Sequence, residues 1–411
     1  MTPTTDSRTH LIPDCSARPG DDPIFALNAE AVKRAAAGES VLNATLGALM
    51  EDDGTLAVMP VVQEALSGVP FKRGAAYAPI AGESRFLAAV IRDTFGASPL
   101  AAQSVAVATP GGTGALHHAI VNLLAPGDAL LTASYFWGPY KTLAQHTRRR
   151  IETHPMFDAG GHFDTGSFEE ALVRQVGSQG RALVLLNTPC NNPTGYSLDE
   201  RDWAGVVSAV RHATQLGPVS LLLDLAYAKF GAAGADGWVR HVQSLAGDAL
   251  VLGAWTASKS FAQYGARVGA LIAAHPDAEE RTRLFNALSF SCRGTWSNCN
   301  HTGMLAVTEL LENPALRARA DGERDRLRTL LDERVAAFNT GAQAAGLRYP
   351  RYEGGFFVTV FANDPERVAA AMRDRGVFVV PINGAVRIAL CSTPRKDVPR
   401  LIEALAKGLA T

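Results

Sequence analysis

At 411 residues, 47% of them hydrophobic, the chain is long enough to bury a large core, expected to divide over two domains. A formal charge of −1 leaves no basic or acidic excess, which argues against a nucleic-acid or membrane-surface binder. No apolar run is long enough to span a bilayer, and the five cysteines lack CxxC spacing. A disulfide framework, a zinc site or a membrane anchor is therefore not expected, and a reducing cytoplasm suits the thiols.

The first 20 residues are polar, without an apolar signal core, and read as a mobile arm. Residues 21–50, with DPIF and the helical EAVKRAAAG, are expected to pack on the C-terminal part of the chain. From about Gln103 to Ala274, short apolar runs alternate with helical patterns: 104–109, 129–133, 182–187, 219–224, 249–255 and 268–273 read as strands. Such alternation predicts an α/β fold, a mostly parallel sheet covered on both faces, with ligands at the carboxyl ends of its strands. Ser197-Leu-Asp-Glu200 has capping-box spacing and is expected to open the helix after the 182–187 strand. Beyond about residue 300 an Arg/Glu/Ala-rich stretch (303–346) reads as two helices broken near Asn313-Pro314. Strands at 355–361, 377–381 and 386–391 and a closing helix at 396–409 complete a smaller α+β unit. The expected division is 51–302 for the large domain and 303–411 for the small one.

Four short segments carry chemistry. Lys259, in TASKSFAQYGARVGALI, follows an apolar strand and sits among Ala257, Ser258 and Ser260. A lone lysine there is usually a solvated surface group. Partial burial would lower its pKa for imine formation, however, and small neighbours leave room for a cofactor ring. Arg267 follows on the same segment, a ready bidentate partner for a phosphate dianion. Asp224 ends the run SLLLD; it is either a strand-terminal cap or a carboxylate pairing with a pyridinium nitrogen, with Tyr227 beside it to donate to a phenolate oxygen. NTPCNNPTG (187–195) can be a simple turn or can hold the Asn192 amide rigidly over a site, with Asn192–Pro193 a candidate cis peptide. PGGTGAL (110–116), at a strand-to-helix junction, offers N–H groups and a helix dipole to a phosphate, or is merely a tight turn.

Taken together, in this order and spacing, the four segments resemble the fold-type I PLP-dependent enzymes of the class I/II aminotransferase family, nearest the aspartate and aromatic branch. The resemblance runs from DPIF at Asp22 to the helix after Arg387. It implies pyridoxal 5′-phosphate as cofactor and Lys259 as the Schiff-base lysine that later shuttles the proton between Cα and C4′. It places Asp224 at the pyridine nitrogen, and Asn192 and Tyr227 at the phenolate oxygen. Gly112, Thr113, Thr256, Ser258 and Arg267 would form the phosphate cup, and Trp137 in YFWGPY would stack on the ring. Tyr77, in FKRGAAYAPIAG, matches a tyrosine that reaches the phosphate of a neighbouring subunit, so a homodimer with shared sites is implied. On the substrate side the resemblance points to Gly47, to Asn192 and Trp137 again, to Arg387 as the clamp on the α-carboxylate, and to Arg293 as a partner-subunit reader of a distal carboxylate, with Ile24 and Phe25 as apolar wall. Around them Thr45-Leu-Gly47 replaces Leu-Gly-Val-Gly, Trp296 stands for a tyrosine, Cys299-Asn300 for prolines, and IALC follows Arg387. The expected reaction moves an amino group from an aspartate-, glutamate- or aromatic-type amino acid to a 2-oxo acid such as 2-oxoglutarate, in two half-reactions with ping-pong kinetics. A β-lyase, decarboxylase or oxidase on the same scaffold, and a non-catalytic amino-acid-binding regulator, stay open on these motifs. No metal is called for.

Overall fold

The computed structural model describes residues 9–16, 18–20, 23–232, 234 and 237–410. The expected mobile arm falls in part on residues 1–8 and 17, which lie outside the described residues; within it, Pro13–Ser16 forms a single helical turn.

A two-residue strand, β1 (Leu42–Asn43), precedes the main sheet. That sheet is built from β2 (Ser104–Pro110), β3 (Ala129–Ala133), β4 (Arg150–His154), β5 (Ala182–Asn187), β6 (Val219–Asp224), β7 (Leu250–Thr256) and β8 (Val268–Ala274), in the order β2-β8-β7-β6-β5-β3-β4. Only β8 runs against its neighbours; β3, β4, β5, β6 and β7 pair in parallel. The central strands are near-continuous Leu/Val/Ala runs because both faces are covered, and their side chains alternate between two apolar layers. Val184 and Leu186 face one layer, with Phe168 and Val206 from the helices Thr165–Gln179 and Glu200–Thr214. Leu183, Leu185 and Leu222 face the other, with Leu116 and Ile120 from the helix Gly111–Leu123. Truncating a core leucine such as Leu222, which is fully buried, costs about 2–5 kcal/mol in such surroundings.

The C-terminal part adds β9 (Phe357–Phe361), β10 (Val377–Phe378), β11 (Val380–Ile382) and β12 (Ala385–Ala389). The strands β11, β12 and β9 form an antiparallel sheet, while β10 pairs in parallel with β1. The helices His301–Glu312 and Pro314–Ala344 break at Asn313, as the sequence predicts. The Asn313 side chain accepts from Ala315 N and Leu316 N, and Pro314 takes the first helical position.

Three local expectations need correction. The helix at 200–214 is capped by Asp199 with Asp202 in a reciprocal box, not by Ser197, whose hydroxyl is engaged instead with Cys190 N at 2.9 Å. The cis peptide is Thr188–Pro189, whereas Asn192–Pro193 is trans; both are tertiary amides, and nothing in the local sequence separates them. The strand β4, RIETH, went unread because its half-exposed sheet-edge position tolerates polar residues that hide the strand pattern.

Two buried histidines make the fold acid-sensitive. His118, with no exposed surface, stacks on Trp296 with ring centroids 4.1 Å apart, and burial pulls its pKa down to about 3. His154 donates Nδ1–H to Pro155 O (2.7 Å) between Phe163 and Phe168; burial likewise lowers it to about 4. An unfolded chain protonates both near pH 6.5, where the folded chain does not, so their stability is present above that pH and is lost as pH falls toward 4. By pH 5 each is expected to have cost about 2 kcal/mol. Denaturant unfolding at pH 7 and pH 5 checks this, and His154→Gln should roughly halve the difference.

Candidate active site

The carboxyl ends of β2, β5, β6 and β7 and the amino end of antiparallel β8 all lie along one edge of the main sheet. Each delivers a segment singled out in the sequence. After β2, Gly111 turns with φ +70°, and a side chain there would run into the Arg267 guanidinium. Gly112 and Thr113 then sit in the first turn of the helix Gly111–Leu123, whose opening N–H groups have no intrahelical acceptor. After β5, the Asn187 side chain accepts from Asn192 N (2.6 Å) and donates to the Asp224 carbonyl (2.9 Å), locking the NPTG loop to the end of β6. Gly195 (φ +73°) packs against the Tyr352 ring and the Phe357 carbonyl, which leaves no space for a side chain.

At the end of β7, Thr256 caps the short turn Ala257–Ser260 through Ser258 N, and its hydroxyl lies 3.0 Å from that of Ser258. Arg267 opens β8 with φ +53° and donates to Ser258 Oγ (3.3 Å) and Tyr264 O (2.9 Å). Between them Lys259 is largely buried. Its Nζ lies 5.6 Å from the ring centroids of both Tyr227 and Tyr264, and among the described residues it has no hydrogen-bond or salt-bridge partner.

These groups line one cavity of about 170 Å³. It brings together every cofactor residue expected from the sequence except Tyr77: Lys259 with Asp224 and Tyr227, Asn192 with Trp137, and Gly112, Thr113, Thr256, Ser258 and Arg267 at one end. Leu116, Asn187 and Ala226 also line it and were not foreseen, although Leu116 ends PGGTGAL and Asn187 begins NTPCNNPTG. Burial lowers the Lys259 pKa, opposed by Asp224 and assisted by Arg267. At Asp224, burial raises the carboxyl, while the Tyr140 hydroxyl, the Ala226 N–H and Lys259 work in the other direction. Asn192 Nδ2 lies 3.4 Å from the Tyr227 hydroxyl, and Asn192 Oδ1 is buried without a partner among the described residues.

Of the expected substrate residues, Asn192 and Trp137 line this cavity, while Gly47, Arg293 and Arg387 lie outside its lining. Arg387, on β12, is 5% exposed. It donates Nη2–H to the Thr45 carbonyl at 2.5 Å, and its guanidinium stacks 4.7 Å over the Phe357 ring. The same ring stands edge-on to Tyr227 at 5.7 Å and occupies the space a side chain on Gly47 would need, 2.5 Å from its Cβ. Arg387 and Gly47 are thus one aromatic ring away from Tyr227. Behind them the fully buried Arg334 donates to Cys391 O (2.6 Å), Met50 O (2.7 Å) and Asp52 Oδ1 (2.7 Å), a clamp hidden in an Arg/Glu-rich helix that reads as surface. Tyr77 is 91% exposed, and Arg293 is exposed at the end of the helix Ala278–Thr295, donating to Ser297 Oγ. Neither reaches the cavity of its own chain. Phe25 is 65% exposed on the helix Pro23–Ala36 that also carries Ile24.

A lysine, a carboxylate and an arginine held around one cleft at the carboxyl edge of an α/β sheet suit a cofactor that is anionic at one end and basic at the other. The family model for aminotransferase class I and II matches residues 40–405. The chain belongs to that family. Enzymes of this family depend on pyridoxal phosphate, and the chain is an aminotransferase. An aromatic-amino-acid aminotransferase of Pseudomonas aeruginosa is 31% identical over 341 residues, covering 80% of this chain and 82% of that protein. An aminotransferase structure from Anaerococcus prevotii superposes with a TM-score of 0.93 at 29% identity, covering 98% and 100% of the two chains. An aromatic-amino-acid aminotransferase of Burkholderia pseudomallei, covalently bound to pyridoxal phosphate, gives 0.80 at 25% identity over 97% and 100%. The seven-stranded mixed sheet with a small antiparallel sheet is therefore the fold-type I arrangement. Among the described residues, no helix is long and apolar enough to cross a membrane.

Proposed function

We propose that this aminotransferase acts on aromatic amino acids and on aspartate or glutamate, with a 2-oxo acid such as 2-oxoglutarate as acceptor, in a homodimer in the cytoplasm. The observation that carries the reading is the shared cavity in which Lys259 stands between the Asp224 carboxylate and the Arg267 guanidinium. The donors fit pyridoxal phosphate: hydroxyls, N–H groups and a guanidinium gather at one end, a buried carboxylate at the other, and the unpartnered Asn192 Oδ1 beside them. When bound, that cofactor supplies an aldehyde that links to amines and a ring that accepts the electrons released at Cα.

The chain's own residues do the rest. Arg267, Thr256, Ser258, Thr113 and Gly112 hold the phosphate, by the same logic that places anions at helix N-termini. Asp224 would keep the ring nitrogen protonated, Asn192 and Tyr227 would hold the phenolate oxygen, and Trp137 would cover a face. Lys259 would hold the cofactor and yield it to an incoming amino acid. Its amine, deprotonated more readily because it is buried, would then serve as the base that takes the Cα proton and delivers it to C4′. Arg387 grips the α-carboxylate as a planar fork and so aligns the Cα–H bond. The Phe357 ring beneath it offers apolar surface for an aromatic side chain.

Tyr77 and Arg293 fit this scheme as contributions to the partner's site. The strongly exposed Phe71, Tyr77 and Phe290, in the same segments, support a second copy covering them. The cytoplasm suits five cysteines that are all unpaired. The expected boundary between a large domain at 51–302 and a small one at 303–411 falls within the helix His301–Glu312, and the helix break at Asn313 is the better candidate for it.

The test is a half-reaction. Phenylalanine, tyrosine, aspartate or glutamate alone should bleach the lysine-linked cofactor band with one equivalent of 2-oxo acid released. Initial rates with 2-oxoglutarate should give parallel double-reciprocal lines. Release of ammonia, pyruvate or peroxide in place of the 2-oxo acid would overturn the proposal.

A further inference from the structure

Tyr140 closes the YFWGPY segment without a role assigned to it, yet it makes the shortest side-chain contact to the Asp224 carboxylate. Its hydroxyl donates to Asp224 Oδ2 at 2.6 Å, and the residue is 1% exposed. Among the described residues that is the only hydrogen bond the hydroxyl makes. The other carboxylate oxygen accepts from Ala226 N at 3.1 Å, and the Asp224 carbonyl accepts from Asn187. The carboxylate is therefore held by neutral donors alone. Among the described residues no cationic side chain is seen bonded to it, and Lys259 acts on it through space.

A phenylalanine would fill the Tyr140 space equally well, and a buried hydroxyl is a liability unless it is used. The scaffold around it is rigid. Trp137, one turn earlier, stands edge-on to the Tyr140 ring at 5.6 Å and 85°, and Phe136 stacks on it at 6.3 Å and 12°. The helix Pro139–His146 begins between them with proline in its first position, which fixes the backbone of the turn. One WGPY turn thus carries both a residue that lines the cavity and the residue that orients its carboxylate.

We infer that Tyr140 is a positioning residue for the cofactor ring, fixing Asp224 so that the proton shared with the ring nitrogen stays on the nitrogen. A donor to a carboxylate weakens that carboxylate's own hold on a proton. Remove the donor, and a buried, desolvated Asp224 competes better for the proton it shares. A phenol does this without titrating across neutral pH, so the ring's charge should be insensitive to pH in that range. The inference rests on the reading that Asp224 faces the ring nitrogen.

The experiment is ¹⁵N NMR of the holoenzyme loaded with pyridoxal phosphate labelled at the ring nitrogen, from pH 6 to 9. In the wild type the resonance should sit at the protonated position throughout. In Tyr140→Phe it should move toward the free-pyridine position, with kcat lowered and the Kd for pyridoxal phosphate raised, each roughly tenfold. Tyr140→His restores a donor and should return the signal to the protonated position at pH 8. It should also add a pH-dependent step near the imidazole pKa, and a flat profile would count against the inference even if Tyr140→Phe does not fold. Loss of thermal stability in Tyr140→Phe with an unmoved nitrogen signal would reduce Tyr140 to a packing residue and overturn the inference. Asp224→Asn separates the two levels. If it shifts the signal and Tyr140→Phe does not, the inference alone fails; if it does not, the placement of Asp224 fails with it.

Discussion

Replacing Lys259 with alanine is expected to lower kcat for transamination by about 10⁴-fold, the range in which an enzyme loses both a covalent anchor and a positioned base. The size of the effect follows from the surroundings. Lys259 has no ion-pair partner among the described residues, so nothing structural depends on its charge. Only the 5.6 Å approaches to Tyr227 and Tyr264 are lost, and the fold should survive. Borohydride treatment should fix the cofactor to the peptide containing residue 259 in the wild type and to no peptide in the variant. Pyridoxal phosphate should still bind, non-covalently, because the phosphate end is held by Arg267 and its neighbours. Retained turnover in Lys259→Ala would refute the assignment. Loss of activity with loss of the folded state would move the test to Lys259→Arg, which keeps charge and length but cannot form the imine.

The second large effect is expected at Arg387. Truncation to alanine removes a buried guanidinium from the Thr45 carbonyl and the Phe357 ring, and with it the fork that receives the substrate carboxylate. Losing a desolvated, charge-assisted pair of this kind typically costs 2–5 kcal/mol, so kcat/KM should fall by about 10²- to 10³-fold. The loss should be the same for aspartate and phenylalanine, because both present the same α-carboxylate. Arg293→Ala is the contrast: it should weaken dicarboxylic substrates and leave aromatic ones nearly untouched. Arg387→Lys should recover little, since a point charge cannot reproduce the planar fork. Stopped-flow half-reactions with the two substrate classes check both arguments, and a selective effect at Arg387 would contradict the clamp.

How much of this was legible beforehand depended on whether the deciding contact is local in the chain. The central strands are Leu/Val/Ala runs bounded by turn residues, so the sheet could be read directly, and Asp224, Asn192, Lys259 and Arg267 stand where those runs end. The polar edge strand Arg150–His154 could not be read this way, because half of it faces solvent and carries no apolar alternation. The helix cap moved from Ser197 to Asp199 because Ser197 is drawn to the Cys190 amide, a contact set by the loop's path. Tyr140 and Arg334 were invisible for a related reason. Each is defined by partners 84 and 57 residues away, Asp224 and Cys391, and nothing in the neighbouring letters signals either pairing. Tyr77 and Arg293 stood out in the sequence but, in a single chain, face away from the cavity that the other cofactor residues share.

The antiparallel course of β8 has a consequence for how this protein can be altered. Lys259 and Arg267 are joined by one excursion of chain that leaves β7 at Thr256 and returns at Val268, and Thr256 and Gly269 face each other in the β7–β8 pairing. The excursion is pinned at both ends, so its length works as a ruler between the amine and the guanidinium. A deletion of one residue inside it must be taken up by the turn between the two charges, which moves one against the other, or by the β7–β8 register. Slipping that register by one step would turn β8 over, sending Leu271 and Ala273 to the opposite layer. Variation in substrate range therefore has freer play outside this excursion than between these two charges.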